Sequence, residues 1–208
     1  MAPEPQYQHV RFKPWRGDSY GRSSQFELPV LVLGESHHDW PGGRLDENAT
    51  CEIIGDVVGG WRFAFWTKIA SAFLGSDPTL EERSRFWNSV AYYNFVQESA
   101  GLGPRDRLTL EMWQSGVPAF FEVLTNLQPR CIVVLGKALW QNLPPFHKLG
   151  PTLSLEGQSP RTTGLYQVGE GFAVAAGIDH PSSFGWHYHE WHPWISQALL
   201  VARQVGSN

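Results

Sequence analysis

Leu28-Pro29-Val30-Leu31-Val32-Leu33, running straight into Gly34-Glu35-Ser36-His37-His38-Asp39, is the stretch on which the fold turns. An unbroken apolar run closed by a polar turn reads as a strand buried on both faces, as in parallel sheets. The signature recurs in Cys131-Ile132-Val133-Val134-Leu135, closed by Gly136-Lys137-Ala138-Leu139-Trp140, and in Phe172-Ala173-Val174-Ala175-Ala176-Gly177-Ile178, which leads to His180-Pro181-Ser182-Ser183. Val90-Ala91-Tyr92-Tyr93-Asn94-Phe95-Val96 has strand composition with a polar residue, Asn94, near its end. In open α/β sheets ligands bind in the crevice beyond the carboxyl ends of the strands. The turns at Glu35 and His180 are therefore expected to face one cavity, with Asn94 pointing at it.

Helical segments alternate with these strands. Trp61 to Leu74 places Phe65, Trp66, Ile69, Ala70 and Phe73 at helical spacing, with Gly75 where a helix stops. Asp77-Pro78-Thr79-Leu80-Glu81-Glu82 carries a capping box in Thr79 and Glu82 and starts a helix to about Asn88. After the loop from Ser99 to Arg107, a segment begins near Thr109. Pro118 marks a kink or a fresh helix start before Phe120 to Leu127, and Pro129 ends that helix. Trp194 to Val205 reads as a final amphipathic helix. Pro41 to Gly60 reads as a glycine-rich polar loop, and Gly150 to Gly171 as a hairpin or extended edge. The alternation predicts an α/β fold, a three-layer α/β/α architecture around a mostly parallel sheet of four to five strands.

The 208 residues suit one domain spanning 1–208, with 1–27 as an irregular N-terminal arm. Apolar residues at 42% against 17% charged argue against long disorder. A net charge of −4 gives no whole-protein basic field of the kind that strong non-specific nucleic-acid binding needs. A local patch is still present. Arg11, Lys13, Arg16 and Arg22 sit among Phe12, Trp15 and Tyr20, opposed by Glu4 and Asp18, as an arm along a phosphate backbone or as a solvated tail pinned by its aromatics. Two cysteines, Cys51 and Cys131, offer neither a disulfide framework nor a cysteine metal cluster. No apolar leader and no run of about 20 apolar residues is present, so the expectation is a cytoplasmic protein with no membrane partner.

Taken in order, Gly34-Glu35-Ser36, Asn94-Phe95-Val96, Leu127-Gln128-Pro129-Arg130-Cys131-Ile132-Val133-Val134-Leu135-Gly136 and His180-Pro181-Ser182 resemble the uracil-DNA glycosylase superfamily. The iron–sulfur branch is similar in carrying G-E-A-P-G, N-V-V-K-C, P-x-x-I-V-x-L-G and H-P-S in that order, and the likeness spans about residues 28 to 184. The resemblance implies a uracil-DNA-glycosylase-like fold, DNA or a nucleotide as partner, and cleavage of the N-glycosidic bond of a damaged or deaminated base. It implies Glu35 near the attacking water, Asn94 as the base-reading amide with Ser36 and His37 beside it, and His180 at the base carbonyl. With only two cysteines the branch's four-cysteine cluster is ruled out, and no cofactor is expected.

The chemistry accounts for these residue types. Breaking an N-glycosidic bond builds positive charge on the sugar and negative charge on the departing base, so a carboxylate suits one side and an imidazole donor the other. An Asn amide offers one donor and one acceptor to a Watson–Crick edge. An enzyme of this kind must also extrude its target, stack it and fill the gap. Phe184 and Trp186 are the wedge candidates by position, Trp40, Trp61 and Phe65 the stacking candidates, and Gly136, Lys137, Ser182 and Ser183 the backbone contacts.

Each assignment has a plainer counterpart. Glu35 also suits a turn carboxylate holding backbone N–H groups, and Asn94 a satisfied strand-end amide. Two other functions share the sequence. His187, His189, Glu190 and His192, with His37 and His38, would suit a metal-assisted hydrolase, although Trp186, Tyr188, Trp191 and Trp194 interleave them as a packed surface would. The acidic net charge favours a non-catalytic module that holds a nucleotide or single-stranded nucleic acid.

Overall fold

The computed structural model describes residues 7–21, 23–39, 45–101 and 108–205. The stacking candidate Trp40 lies outside these residues, as do Glu4, Arg22, the loop start at Pro41 to Arg44, and Leu102 to Arg107.

Thirteen elements follow in chain order: β1 (Trp15–Arg16), β2 (Val30–Gly34), α1 (Ala49–Val58), α2 (Ala64–Leu74), α3 (Leu80–Ser89), β3 (Ala91–Asn94), α4 (Leu110–Leu127), β4 (Cys131–Leu135), α5 (Lys137–Asn142), β5 (Lys148–Leu149), β6 (Gly164–Val168), β7 (Gly171–Ile178) and α6 (Tyr188–Val205). The strands form one sheet of order β1-β3-β2-β4-β7-β6-β5. Its centre, β3-β2-β4-β7, is parallel throughout. Its flanks, β1 on β3 and β5-β6 on β7, are antiparallel. The sheet is therefore mixed and seven-stranded, which corrects the expected four to five strands. Of the added strands, β1 and β5 are two-residue pieces too short to leave a hydrophobic period in the sequence, and β6 lies in the stretch read as a hairpin or extended edge.

Strand alternation divides the core. Val30, Val32, Tyr92, Cys131, Val133, Leu135, Val174 and Ala176 pack with α1, α2, α3 and α6. Leu31, Leu33, Tyr93, Ile132, Val134, Ala173 and Ala175 pack with α4 and α5. With helices on both faces, β2 and β4 are buried along their whole length, which explains why they read as unbroken apolar runs. Each fully buried Val, Leu or Ile contributes about 1.5–3 kcal/mol, so these strands anchor the sheet. Burial pushes the Cys131 thiol up to about 12, as suits an inert core cysteine.

Several boundaries differ from the sequence expectation. Pro41 to Gly60 contains α1, which buries Ala49, Thr50, Ile54 and Val57 against the sheet. Pro118 does not start a fresh helix. α4 runs through it, held by burial of Ala119, Phe120, Val123, Leu124 and Leu127. Gly116 permits that packing, since a Cβ there would come within 2.5 Å of the Phe95 carbonyl oxygen. α6 begins at Tyr188, earlier than the expected Trp194, and takes Pro193 into its length. The capping box at Thr79 and Glu82 forms as read, with the Glu82 N–H donating to Thr79 Oγ1 and the Thr79 N–H to Glu82 Oε2. The arm 1–27 is not wholly irregular. β1 pairs with β3, and the Arg11 and Phe12 N–H groups both donate to Gln97 Oε1. Among the described residues no helix is long and apolar enough to cross a membrane.

Candidate active site

Register decides where the turns go. Gly34 pairs with Asn94, Leu33 with Val134 and Leu135 with Ile178, so the parallel strands end in one row. Glu35, Asn94, Gly136 and His180 follow or close those strands on a single sheet edge. Two strand spacings, about 10 Å, separate the β2 end from the β7 end. The chain leaves β2 toward α1 and β4 toward α5, on opposite faces, which makes this edge the switch point of the sheet.

Contacts tie the two sides together. Phe65, in the first turn of α2, stacks on the His180 ring at 5.4 Å between centroids and 30°. Phe65 meets Trp66 edge-on at 5.0 Å, and Trp66 meets Tyr92 at 4.8 Å. The Tyr92 hydroxyl donates to Asn94 Oδ1 at 2.9 Å. A continuous aromatic bridge thus links the base-reading candidate to the histidine.

His180 is held as a donor. The Ser182 N–H donates to its Nδ1 at 3.2 Å, so the ring proton of the neutral imidazole resides on Nε2. Burial, reinforced by His38, holds its pKa below the ordinary histidine value. The Ser182 N–H needs the Nδ1 lone pair, which acts in the same direction. The His180-Pro181-Ser182-Ser183 turn is closed by the Ser183 N–H donating to the His180 carbonyl and the Trp186 N–H to that of Ser183. Lys68 of α2 clamps the turn by donating to the Pro181 carbonyl at 2.9 Å, with its ammonium 5.7 Å above the Trp186 ring.

Glu35 is half-buried. Burial raises its pKa above the ordinary carboxylate value, and His38 opposes the rise. His38 is exposed and acts electrostatically on Glu35, His37 and His180 alike. Ser36 is half-buried beside Glu35.

The remaining candidates divide. His37 turns inward: its Nε2 lies 2.8 Å from Thr50 Oγ1, and its ring meets Phe12 edge-on at 4.9 Å. Burial, then repulsion from His38, lowers its pKa to about 4. Phe184 is fully exposed at the tip of the turn, whereas its neighbour Trp186 is buried and donates from Nε1 to the Asp179 carbonyl. The Gly136 N–H is committed to the Ile178 carbonyl. Lys137 pairs with Asp179 at 3.4 Å beside a cavity of about 250 Å³ that Trp140 and Arg161 also line. Ser182 and Ser183 use their N–H groups within the turn and leave exposed side chains. A larger depression of about 700 Å³, by Ser19, Leu80 and Arg85, holds none of these residues.

The histidines near the start of α6 do not converge. His192 Nδ1 lies 3.0 Å from the Ala72 carbonyl, and His189 packs on Tyr188. Among the described residues no group of three or more His, Cys, Asp or Glu side chains is placed to hold a metal ion. Sequence reasoning missed Tyr92, Lys68 and Thr50 as partners of the site. Tyr92 was findable, since residues two apart on a strand share a face. Thr50 lies in a helix read as loop and left no signal.

The chain matches no protein-family model and no curated protein.

Proposed function

We propose that the chain is a DNA glycosylase-like hydrolase that cleaves the N-glycosidic bond of a deaminated or damaged base, within the uracil-DNA glycosylase superfamily its motifs resemble. The observation that carries this reading is His180. Burial holds its pKa below the ordinary histidine value, and the Ser182 N–H on Nδ1 leaves the proton of the neutral ring on Nε2, on the same sheet edge as Glu35 and Asn94. A neutral donor suits a leaving group on which negative charge develops.

The steps follow from the residues. Asn94 binds the extruded base at its hydrogen-bonding edge. The C1′–N bond breaks, its electron pair moves onto the base, and His180 Nε2–H hydrogen-bonds the oxygen where charge collects. Water attacks C1′ and passes its proton to Glu35, whose raised pKa makes it a better base than a free glutamate. Phe184, fully exposed beside His180, fills the gap left in the stack. Phe65 supports the His180 ring from below.

A second reading, a nucleotide or single-stranded nucleic-acid binding module with the same site and no hydrolysis, is favoured by Ser36-His37-His38 standing where the resembled branch carries A-P-G. Oligonucleotides bearing uracil, hypoxanthine, xanthine or a mismatch, in single and double strands, separate the two. Release of a free base from at least one supports hydrolysis. Binding with no base released from any supports the module.

A further inference from the structure

Lys68 and the His180 ring bond opposite ends of one peptide group. The Lys68 ammonium donates to the Pro181 carbonyl at 2.9 Å, and the Ser182 N–H donates to His180 Nδ1 at 3.2 Å. That carbonyl and that N–H share a single planar, trans unit, so they point in opposite directions and turn together. Pro181 has no N–H, and its ring fixes its φ, so the local freedom left is rotation of this plane. Lys68 opposes that rotation. It stands on α2 three residues after Phe65, whose ring stacks on His180, so one helix face supports both the imidazole and the amide bonded to it. The half-buried ammonium lies 5.7 Å over the Trp186 ring and has no carboxylate partner among the described residues. Desolvating a cation without an ion pair costs free energy that a methionine of similar reach would not lose, so what lysine adds at this position is its donor. A cation on the carbonyl also polarises the amide and strengthens its N–H as a donor.

We propose that Lys68 is a positioning residue that sets the His180 tautomer: by holding the Pro181–Ser182 peptide with its N–H toward Nδ1, it keeps the proton of the neutral ring on Nε2. With the plane turned over, the Pro181 carbonyl would face the ring and accept from Nδ1–H, leaving Nε2 a bare lone pair. A lone pair repels a leaving group on which negative charge collects, whereas an N–H stabilises it. The effect on rate rests on the reading of His180 as the donor to a departing base. The tautomer is a property of the free chain and is read without any substrate.

The test is nitrogen NMR of the His180 ring in the full chain, at a pH where the ring is neutral, for the parent, Lys68→Met and Lys68→Arg. The parent should show a protonated Nε2 and a bare Nδ1. Lys68→Met keeps the apolar stem and loses the donor. With a native circular dichroism spectrum, it should lower the ratio of Nε2–H to Nδ1–H tautomers about 10-fold or more, drawing the two nitrogen signals together. Lys68→Arg, which keeps a charged donor, should restore the parent pattern. In single-turnover base release, Lys68→Met should be slower about 10-fold, with oligonucleotide Kd and its salt dependence unchanged. An unchanged tautomer in a folded Lys68→Met overturns the inference, as does a slower rate that comes only from weaker binding with a salt slope lower by about one, the mark of a phosphate contact. Where Lys68→Met does not fold, the parent decides: Lys68 ammonium protons that exchange more slowly than those of exposed lysines, together with the Nε2–H tautomer, support the inference, and exchange as fast as exposed lysines or an Nδ1–H tautomer overturns it. A tautomer shift in Lys68→Met with no base released by the parent keeps the inference and removes the hydrolytic reading. Base release by the parent with the tautomer unmoved in the variant does the reverse.

Discussion

Acidification should destabilise this protein through His37, and the size of the effect follows from its surroundings. The imidazole is buried against Thr50 and Phe12, and its pKa falls from 6.5 to about 4. Between those values the unfolded chain binds a proton that the folded chain refuses, so stability is complete above the unfolded value and declines as pH drops through it. Taking the system from about pH 7.5 to about pH 4.5 should remove about 2.5 kcal/mol through this one residue, a large share of the stability of a typical domain. His37→Gln preserves a group that can bond Thr50 and eliminates the titration. Urea unfolding of parent and variant at both pH values isolates the residue, because carboxylates common to both chains cancel in the difference. The parent should lose about 2.5 kcal/mol more than His37→Gln across that interval. Equal losses would mean that His37 is not held neutral in the interior, and the account of the first turn would fall with it.

Three further outcomes are expected. Gly34→Ala drives a methyl group into the Tyr92 hydroxyl and Asn94 Oδ1, and should cost about 1–3 kcal/mol in urea unfolding; a cost below about 0.5 kcal/mol would show that the pair is not packed there. Phe184→Ala removes a fully exposed ring, so the midpoint of unfolding should hold steady while base release from duplex DNA slows more than release from single strands; equal slowing on both would deny the ring a gap-filling role. The rate of base release should climb with pH along an acid limb set by Glu35 above the ordinary carboxylate value, and should not fall through the ordinary histidine range, because burial holds the His180 pKa below its ordinary value; an alkaline limb in that range would mean that His180 acts as a charged acid.

The parts of the fold legible in the sequence were those where one physical term dominated. β2, β4 and β7 are buried on both faces, so hydrophobicity alone marked them, and the polar residues that close them marked the edge where the crevice lies. The helix over Leu80–Ser89 was legible because Thr79 and Glu82 satisfy each other's backbone groups locally. α1 was hidden because Gly55 interrupts its apolar stripe and Gly59 and Gly60 follow its end, and its stability comes from packing on the sheet rather than from propensity. β1 and β5 are two residues each and exist only through their partners. Within the site, residue type did not reveal direction. His37 and His38 are neighbours, yet one is buried on Thr50 and the other faces solvent. Phe184 and Trp186 were equal candidates, and only Gly185, in the left-handed region at φ +71°, and the bond from Trp186 to Asp179 separate an exposed tip from an anchor. The amide orientation of Asn94 depends on Tyr92 and on the absence of a side chain at Gly34 across the strand, a three-body arrangement that no single motif encodes.

Single-turnover base release from a uracil-bearing oligonucleotide, measured side by side for the parent, Glu35→Gln and His180→Gln, bears most directly on the claim that a carboxylate and a neutral imidazole act across one crevice. The parent should liberate the base, and each substitution should slow it about 100-fold or more, the usual cost of losing a positioned base or an anion-stabilising donor. A parent that liberates nothing, or either variant working at the parent's rate, would contradict it.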